Sequence, residues 1–437
     1  MRRKIKLGQP LLIGYALVDL VGTILLMLPI ASTEPGATDL MQAWFTATSA
    51  LTVTGLTVVP TLSHWTTFGH VVIIVLMQVG GLGVMVLVTI IMTMLGLRIH
   101  LGQRMLITED RNTYSMSGVI RLVRHIILLA LVIQGIGAII MGFLIPDVWE
   151  DGIIQGMLFL AFHAVSAFNG AGFDLTGQSL ESFRHNFGVN LVIVVLIFLG
   201  SLGFVVLQEL FMIRNWQRLS LHSRMVLLVT GVIILVGSVF FLTSEFNHLL
   251  EGTPLEDKIM TSVFQTVTRT AGFVTIPVTS WNEPFIFLMI IMMFIGASPG
   301  SVGGGIKTTT LGTVVLAVWS LVRGKKVVVF FEREIAPKSV SKAFAVVVMA
   351  GMLVMVSTLL LMTVEDLPLM PVMFEVVSAL STVGLSMGIT SQLSPFGLIL
   401  LGLLMLIGRI GIFTTVMILA GREKRQSHFM KENILIG

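Results

Sequence analysis

The sequence has no cysteine, only two tyrosines in 437 residues, and charged residues make up just 11% of it. Without cysteine there are no disulfides, thiolate metal sites or cysteine nucleophiles. The scarcity of charge says more, because a soluble domain carries about 25% Asp, Glu, Lys and Arg. Convergent acid/base pairs are also lacking. The nine histidines are scattered with no pair at ligand spacing, so a membrane-embedded enzyme has no machinery here. The glycines at 300–305 followed by Lys307-Thr308 superficially suggest a phosphate cradle. Their spacing is wrong and their surroundings are apolar, so no site for ATP hydrolysis is expected, and no organic cofactor.

Apolar runs are what the chain has in quantity. Hydrophobic residues make up 55% of it and the mean hydropathy is +0.97. Several runs reach the roughly 20 residues that a membrane-crossing helix needs. The expected class is an all-α integral membrane protein with the lipid bilayer as its solvent. Eight spans are read near 10–30, 67–97, 117–146, 186–213, 223–247, 283–322, 340–363 and 394–421. The start shows no cleavable signal pattern, and the run from Pro10 to Ile30 is long enough to stay as a span. The 27 methionines and 27 phenylalanines read as packing within spans.

The net charge of +4 does not point to nucleic acid, because of where the charge lies. Arg and Lys crowd both ends and the segments joining spans two to three, four to five and six to seven. The opposite connections carry Asp147, Glu150, Asp151, Glu245, Glu251, Glu365 and other acids. By the positive-inside rule, both termini and the basic segments are expected in the cytoplasm.

Each outer connection holds an apolar stretch too short to cross a bilayer, at 40–51, 154–168, 256–268 and 369–380. Such lengths suit helices that enter the membrane and return. The turns after them repeat: Ser49-Ala-Leu-Thr-Val-Thr-Gly55-Leu, Ser166-Ala-Phe-Asn-Gly-Ala-Gly172-Phe, Thr266-Val-Thr-Arg-Thr-Ala-Gly272-Phe and Ser378-Ala-Leu-Ser-Thr-Val-Gly384-Leu. A hydroxyl always stands six positions before one glycine. A second marker follows: Gly80-Gly-Leu-Gly83, Gly200-Ser-Leu-Gly203, Gly300-Ser-Val-Gly303 and Gly408-Arg-Ile-Gly411. Any one such pair can serve helix packing alone. Two markers in one order in four copies indicate tandem repeats at 1–97, 98–220, 221–322 and 323–437, with pore loops at 40–57, 154–174, 256–274 and 369–386.

Irregular backbone at membrane depth has to be buried in protein or line water. Four turns meeting at one axis offer carbonyl oxygens that replace the hydration shell of a cation. The expected potassium ligands are the carbonyls of Val53, Thr54 and Gly55, and of Gly170, Ala171 and Gly172. The other two quadrants supply Thr270, Ala271 and Gly272, and Thr382, Val383 and Gly384. The plainer alternative is that these glycines end short helices as left-handed caps. The fold expected is thus eight transmembrane helices in four helix–pore loop–helix repeats with pseudo-fourfold symmetry around one pore.

These turns, each with one glycine, resemble the potassium transporters of the Trk/Ktr/HKT superfamily. Eight spans and the stretch Gly-Ala-Ser-Pro-Gly-Ser-Val-Gly-Gly-Gly-Ile-Lys-Thr-Thr-Thr at 296–310 resemble its Ktr-type membrane subunit. The resemblance implies potassium uptake, often stimulated by sodium, across a bacterial cell membrane. It also implies a homodimer with one pore per protomer and a cytoplasmic RCK-type nucleotide-binding regulatory subunit. A coupled potassium/sodium symporter with broken helices is the alternative.

Residues 296–310 interrupt the sixth span with glycines and a proline. Gly300, Ser301, Gly303, Gly304 and Gly305 are read as a movable gate, with a static kink as the alternative. Lys307 is expected to snorkel from this loop to cytoplasmic water or headgroups. Arg409 takes the slot of Gly81, Ser201 and Ser301 and is expected to bear on the gate, or to be purely structural. Arg269 stands three residues before Gly272, with Glu375 as its expected buried partner. Asp174 either draws cations to the outer mouth or is a solvated loop acid.

Overall fold

A computed structural model describes residues 9–34, 36, 38–83, 119–150, 152–213 and 215–420. The second half of the second expected span, the basic segment after it and both basic ends lie outside the described residues. The described chain is helical apart from loops and one two-residue hairpin, Val329–Phe330 paired with Arg333–Glu334.

The helices follow the apolar runs. The first group is α1 (Gln9–Leu26), α2 (Leu40–Leu51) and α3 (Thr67–Leu82). The second is α4 (Val119–Leu144), α5 (Ile153–Asn169), α6 (Phe187–Leu202) and α7 (Phe204–Met212). The third is α8 (Leu221–Ser244), α9 (Leu255–Val267), α10 (Glu283–Phe294) and α11 (Thr308–Val322). The last is α12 (Pro337–Glu365), α13 (Leu369–Ser381), α14 (Pro395–Ile410) and α15 (Ile412–Ala420). Helices therefore occupy all four short outer stretches. Local chemistry starts them: Asp39 and Gln42 form a reciprocal capping box on α2, while Pro254 and Pro368 precede α9 and α13.

The exterior is apolar, unlike that of a protein in water. On α1 the exposed face is Ile13, Leu17, Leu20 and Ile24, and on α12 it is Val348, Met352, Met355 and Leu359. Both faces recur at helical spacing. Within an apolar core the interior also buries Thr48, Ser49, Asn169, Gln265, Thr268, Glu375 and Ser378. Among the described residues, Val123–Leu144, Leu221–Ser244 and Pro337–Glu365 are each long and apolar enough to cross a membrane.

The expected span at 186–213 is bent: α6 and α7 meet at 103° across Gly203. There Gly203 has φ 91° and ψ 141°. Gly83 ends α3 at 87° and 138°, and Gly411 separates α14 from α15 at 101° and 128°. Side-chain-bearing residues avoid this region, so the last glycine of the second marker is a helix breaker in three copies. The first glycine has another task. A Cβ on Gly80, Gly200 or Gly408 would stand 1.8, 1.8 or 1.9 Å from the carbonyl oxygen of Leu51, Phe168 or Leu380. The third copy departs from both rules. Its helix stops at Phe294, and Gly300 to Gly303 lie in the loop before α11.

A further repeat escapes the sequence motifs. Thr66, Asn186 and Ser394 cap α3, α6 and α14, accepting from Gly69, Val189 and Gly397 N–H. Each also ties back to the end of the preceding long helix or, for Thr66, to the turn just after it. Thr66 Oγ1 donates to Ile30 O (2.6 Å), Asn186 Nδ2 to Leu144 O (3.4 Å) and Ser394 Oγ to Glu365 Oε1 (2.5 Å). Asn282 donates likewise to Ser244 O at 3.0 Å. Thr, Asn and Ser are interchangeable as caps, so identity conceals the equivalence.

Around the molecule α3 packs on α5, α6 on α9, α10 on α13, and α14 back on α2. Successive groups therefore form a closed circle.

Candidate functional site

The four turns meet where the short helices end. A Cβ on Gly55 would lie 2.0 Å from Ala171 O, and one on Gly172 would lie 2.6 Å from Ala271 O. One on Gly272 would lie 2.5 Å from Val383 O, and one on Gly384 would lie 2.0 Å from Thr54 O. The order runs first to second to third to fourth and back to the first, so the turns close a ring of backbone. Gly170 joins it, with Thr270 O at 2.7 Å from its would-be Cβ.

The ring is not evenly built. Gly55 and Gly384 have φ 92°, while Gly172 and Gly272 have φ 71°. Two residues earlier, Val53 and Thr382 hold φ 52° and 51°, a left-handed conformation that β-branched residues avoid. The repeated hydroxyl holds this backbone. Ser49 Oγ accepts from Gly55 N–H and Ser378 Oγ from Gly384 N–H, both at 3.0 Å. In the second copy Ser166 Oγ donates to Phe173 O at 2.8 Å. In the third, Thr266 bonds within its own helix and Thr268 Oγ1 takes over, donating to Phe273 O.

Behind the ring lie buried charges. Asp19, absent from the sequence assignments, is a lone acid inside the first apolar run, and that isolation was its signal. Trp44 Nε1 and Thr48 Oγ1 each donate to it at 3.0 Å, tying α2 to α1. Arg269 and Glu375 correct an expectation, because they form no ion pair. The Arg269 guanidinium donates to the carbonyls of Met292 (3.2 Å), Ile295 (2.5 Å) and Gly296 (3.4 Å). The break after α10 leaves carbonyls without intrahelical donors, and this arginine serves them. Glu375 Oε1 instead accepts from Ser386 Oγ at 3.0 Å and from Thr390 Oγ1.

The interrupted segment after α10 packs on three neighbours. Ser298 N–H donates to Ser201 O (3.1 Å), Phe204 N–H to Gly300 O (3.2 Å) and Gly304 N–H to Thr382 Oγ1 (2.8 Å). The last bond joins the segment directly to the fourth ring turn. Lys307 does not snorkel outward. Its Nζ turns back to Gly303 O at 2.6 Å and Gly304 O at 3.3 Å, because loop carbonyls without helical partners are the nearer acceptors. Arg409 crosses from α14 and donates to Val302 O, Gly80 O and Gly81 O, linking the segment to the end of α3. Gly300, Ser301, Gly303, Gly305, Lys307 and Arg409 are among the residues lining a cavity of about 770 Å³. Asp174 is engaged locally, its Oδ2 accepting from Thr176 and Gly177 N–H at 3.0 and 2.8 Å.

An apolar exterior, polar side chains buried among the helices and four turns in close contact through their glycines describe an α-helical integral membrane protein. The chain belongs to the TrkH family of cation transport proteins, whose model matches residues 16–427. It is 38% identical to Ktr system potassium uptake protein D of Bacillus subtilis, over 98% of this chain and 97% of that one. It is 35% identical to the potassium/sodium uptake protein NtpJ of Enterococcus hirae, over 100% of this chain and 98% of that one. The solved structure of the potassium transporter TrkH from Vibrio parahaemolyticus has the same fold. Its TM-score is 0.71 at 21% identity, over 96% of this chain and 86% of that one.

Proposed function

We propose that this protein takes up potassium across a bacterial plasma membrane through one pore formed by four tandem repeats. The observation that carries this reading is the closed order of contacts among Gly55, Gly172, Gly272, Gly384 and their neighbours' carbonyls. The carbonyls of 53–55, 170–172, 270–272 and 382–384 coordinate the dehydrated ion. Glycine is required because a side chain would fill the space between adjacent turns. The short helices α2, α5, α9 and α13 run into the membrane from outside and return, which gives eight spans and cytoplasmic termini. Their carboxyl ends then face the axis and favour a cation.

The segment at 296–310 acts as the gate. It lines the cavity, and Thr382, Lys307 and Arg409 hold it by hydrogen bonds to backbone and no ion pair. The names of the relatives support a multicomponent Ktr-type system. In it this chain is the conducting subunit, forms a homodimer, and answers to a cytoplasmic RCK-type nucleotide-binding ring. Stimulation by sodium belongs to the same proposal.

The test is uptake of potassium, rubidium and sodium into vesicles holding the purified protein, with and without external sodium. Potassium preferred at least tenfold over sodium, and faster flux in Arg409→Gln, are expected for a backbone filter above a held gate (about 1.4 kcal/mol per tenfold). Equal flux of the three ions refutes the filter. Fixed potassium-to-sodium stoichiometry would establish the symport alternative.

A further inference from the structure

Two buried carboxamides of the second copy and a half-buried one of the first form a chain. Gln134 lies within the apolar run of α4 yet is only 4% exposed. Its Nε2 donates to Gln78 Oε1 on α3 at 3.0 Å. The same oxygen accepts from Asn169 Nδ2 at 2.9 Å. Asn169 is fully buried and is the last residue of α5, with ring residue Gly170 next to it. One oxygen therefore joins a long outer helix, an inner helix and the short helix that delivers a quarter of the ring.

An amide at membrane depth is unfavourable unless bonded, so three together are not incidental packing. Space is reserved for them, since a Cβ on Gly81 would stand 2.0 Å from Asn169 Oδ1. The link does not recur: the positions equivalent to Gln78, two residues before Gly200, Gly300 and Gly408, hold Phe198, Ser298 and Leu406, none of them an amide. Gln78 Nε2, Gln134 Oε1 and Asn169 Oδ1 are buried without partners, so the two shared bonds hold the chain together. Backbone bonds from Gly170 N–H to Ala167 O (3.1 Å) and Ala171 N–H to Ser166 O (2.8 Å), with Ser166 Oγ on Phe173 O, tie the segment to α5 itself, while Gly170, Ala171 and Gly172 offer no side-chain bond to another helix. Asn169 is the adjacent side chain that ties it to α3 by a directional bond.

We propose that Gln78 is a specificity-determining positioning residue. Acting through Asn169, it sets the 170–172 segment at the spacing that prefers potassium over sodium, and Gln134 anchors it to α4. This rests on the reading of the ring as the filter. Loss of the shared oxygen frees the Asn169 N–H beside the carbonyls of Gly170 and Ala171, and the quadrant shifts.

The experiment compares initial uptake of potassium and sodium into vesicles by the unsubstituted protein, Gln78→Met, Gln78→Glu and Gln134→Leu, per folded protein. Gln78→Met is expected to raise KM for potassium and to lower the potassium-to-sodium ratio about tenfold, on the scale of the lost bond to Asn169, with maximal rate little changed. Gln78→Glu keeps an oxygen at the shared position and keeps the ratio. Gln134→Leu lowers the ratio less, and carries the test if Gln78→Met fails to fold. Wild-type KM and ratio in the folded apolar variants overturn the inference, as does an equal loss in Gln78→Glu. If the ring is not a filter, the unsubstituted protein itself fails to discriminate. That outcome ends both readings and is distinguishable from unaltered selectivity in the variants.

Discussion

Alanine at each ring glycine is expected to do graded damage, and the grading follows from the structure. At Gly55 and Gly384 the new methyl meets a backbone carbonyl oxygen at 2.0 Å, and at Gly172 and Gly272 at 2.6 and 2.5 Å. Ordinary contact begins near 3.4 Å, so the first pair must open by about 1.4 Å and the second by about 0.8–0.9 Å. No flexible side chain can yield, because the obstacle in every case is the neighbouring turn. Positive φ adds about 1–2 kcal/mol of strain at each site, close to a tenfold change in an equilibrium by itself. A carbonyl cage displaced by an ångström no longer matches the ion whose hydration it replaced. The expected order of lost potassium-over-sodium preference is therefore Gly55→Ala and Gly384→Ala first, Gly172→Ala and Gly272→Ala second. The assay is competitive uptake in vesicles, with folded protein quantified by size-exclusion chromatography. Wild-type preference in Gly55→Ala refutes the ring as the filter. The reverse order, with Gly172→Ala worse than Gly55→Ala, refutes the steric reasoning.

Two further outcomes concern stability. Arg269→Met strips the donor from the carbonyls of Met292, Ile295 and Gly296 and should destabilise the protein by about 1.5–3 kcal/mol, measured by thermal unfolding in detergent. Since Arg269 and Glu375 do not pair, the double variant with Glu375→Gln should be additive within about 0.5 kcal/mol, and strong coupling would restore the ion pair. Gly411→Ala and Gly203→Ala separate strain from collision. The first meets only Thr414 Oγ1 at 3.8 Å and carries about 1–2 kcal/mol of backbone strain. The second also meets Pro299 O at 2.7 Å and should be the more destabilised, with faster leak through a disturbed gate segment. Equal melting temperatures would show that the segment gives way freely.

Composition and order settled much about this protein before any coordinates. Apolar length alone dictates a membrane interior, because about 20 uncharged residues in a row have no soluble use. The helices at 40–51, 154–168, 256–268 and 369–380 were legible because each is too short to cross a bilayer and is closed by a glycine turn, three of them starting after Asp39, Pro254 or Pro368. The repeat was legible because a turn that excludes side chains tolerates only glycine, and that letter survives in all four copies.

Tertiary structure decided the rest, for reasons of distance and choice of partner. Arg269 and Glu375 have opposite charges, which suggests a pair. Only the location of a broken helix end reveals that orphan carbonyls claim the arginine first. Lys307 is long enough to reach water, yet loop oxygens lie closer. The second marker was legible as two small residues, but its roles are distinct: Gly80 admits a neighbouring carbonyl, while Gly83 breaks its helix. Asp19, Gln78, Gln134 and Asn169 carry no motif, since a single buried polar residue gains meaning from what stands opposite it across the fold. Sequence determines which groups need partners; packing at membrane depth decides which partners they get.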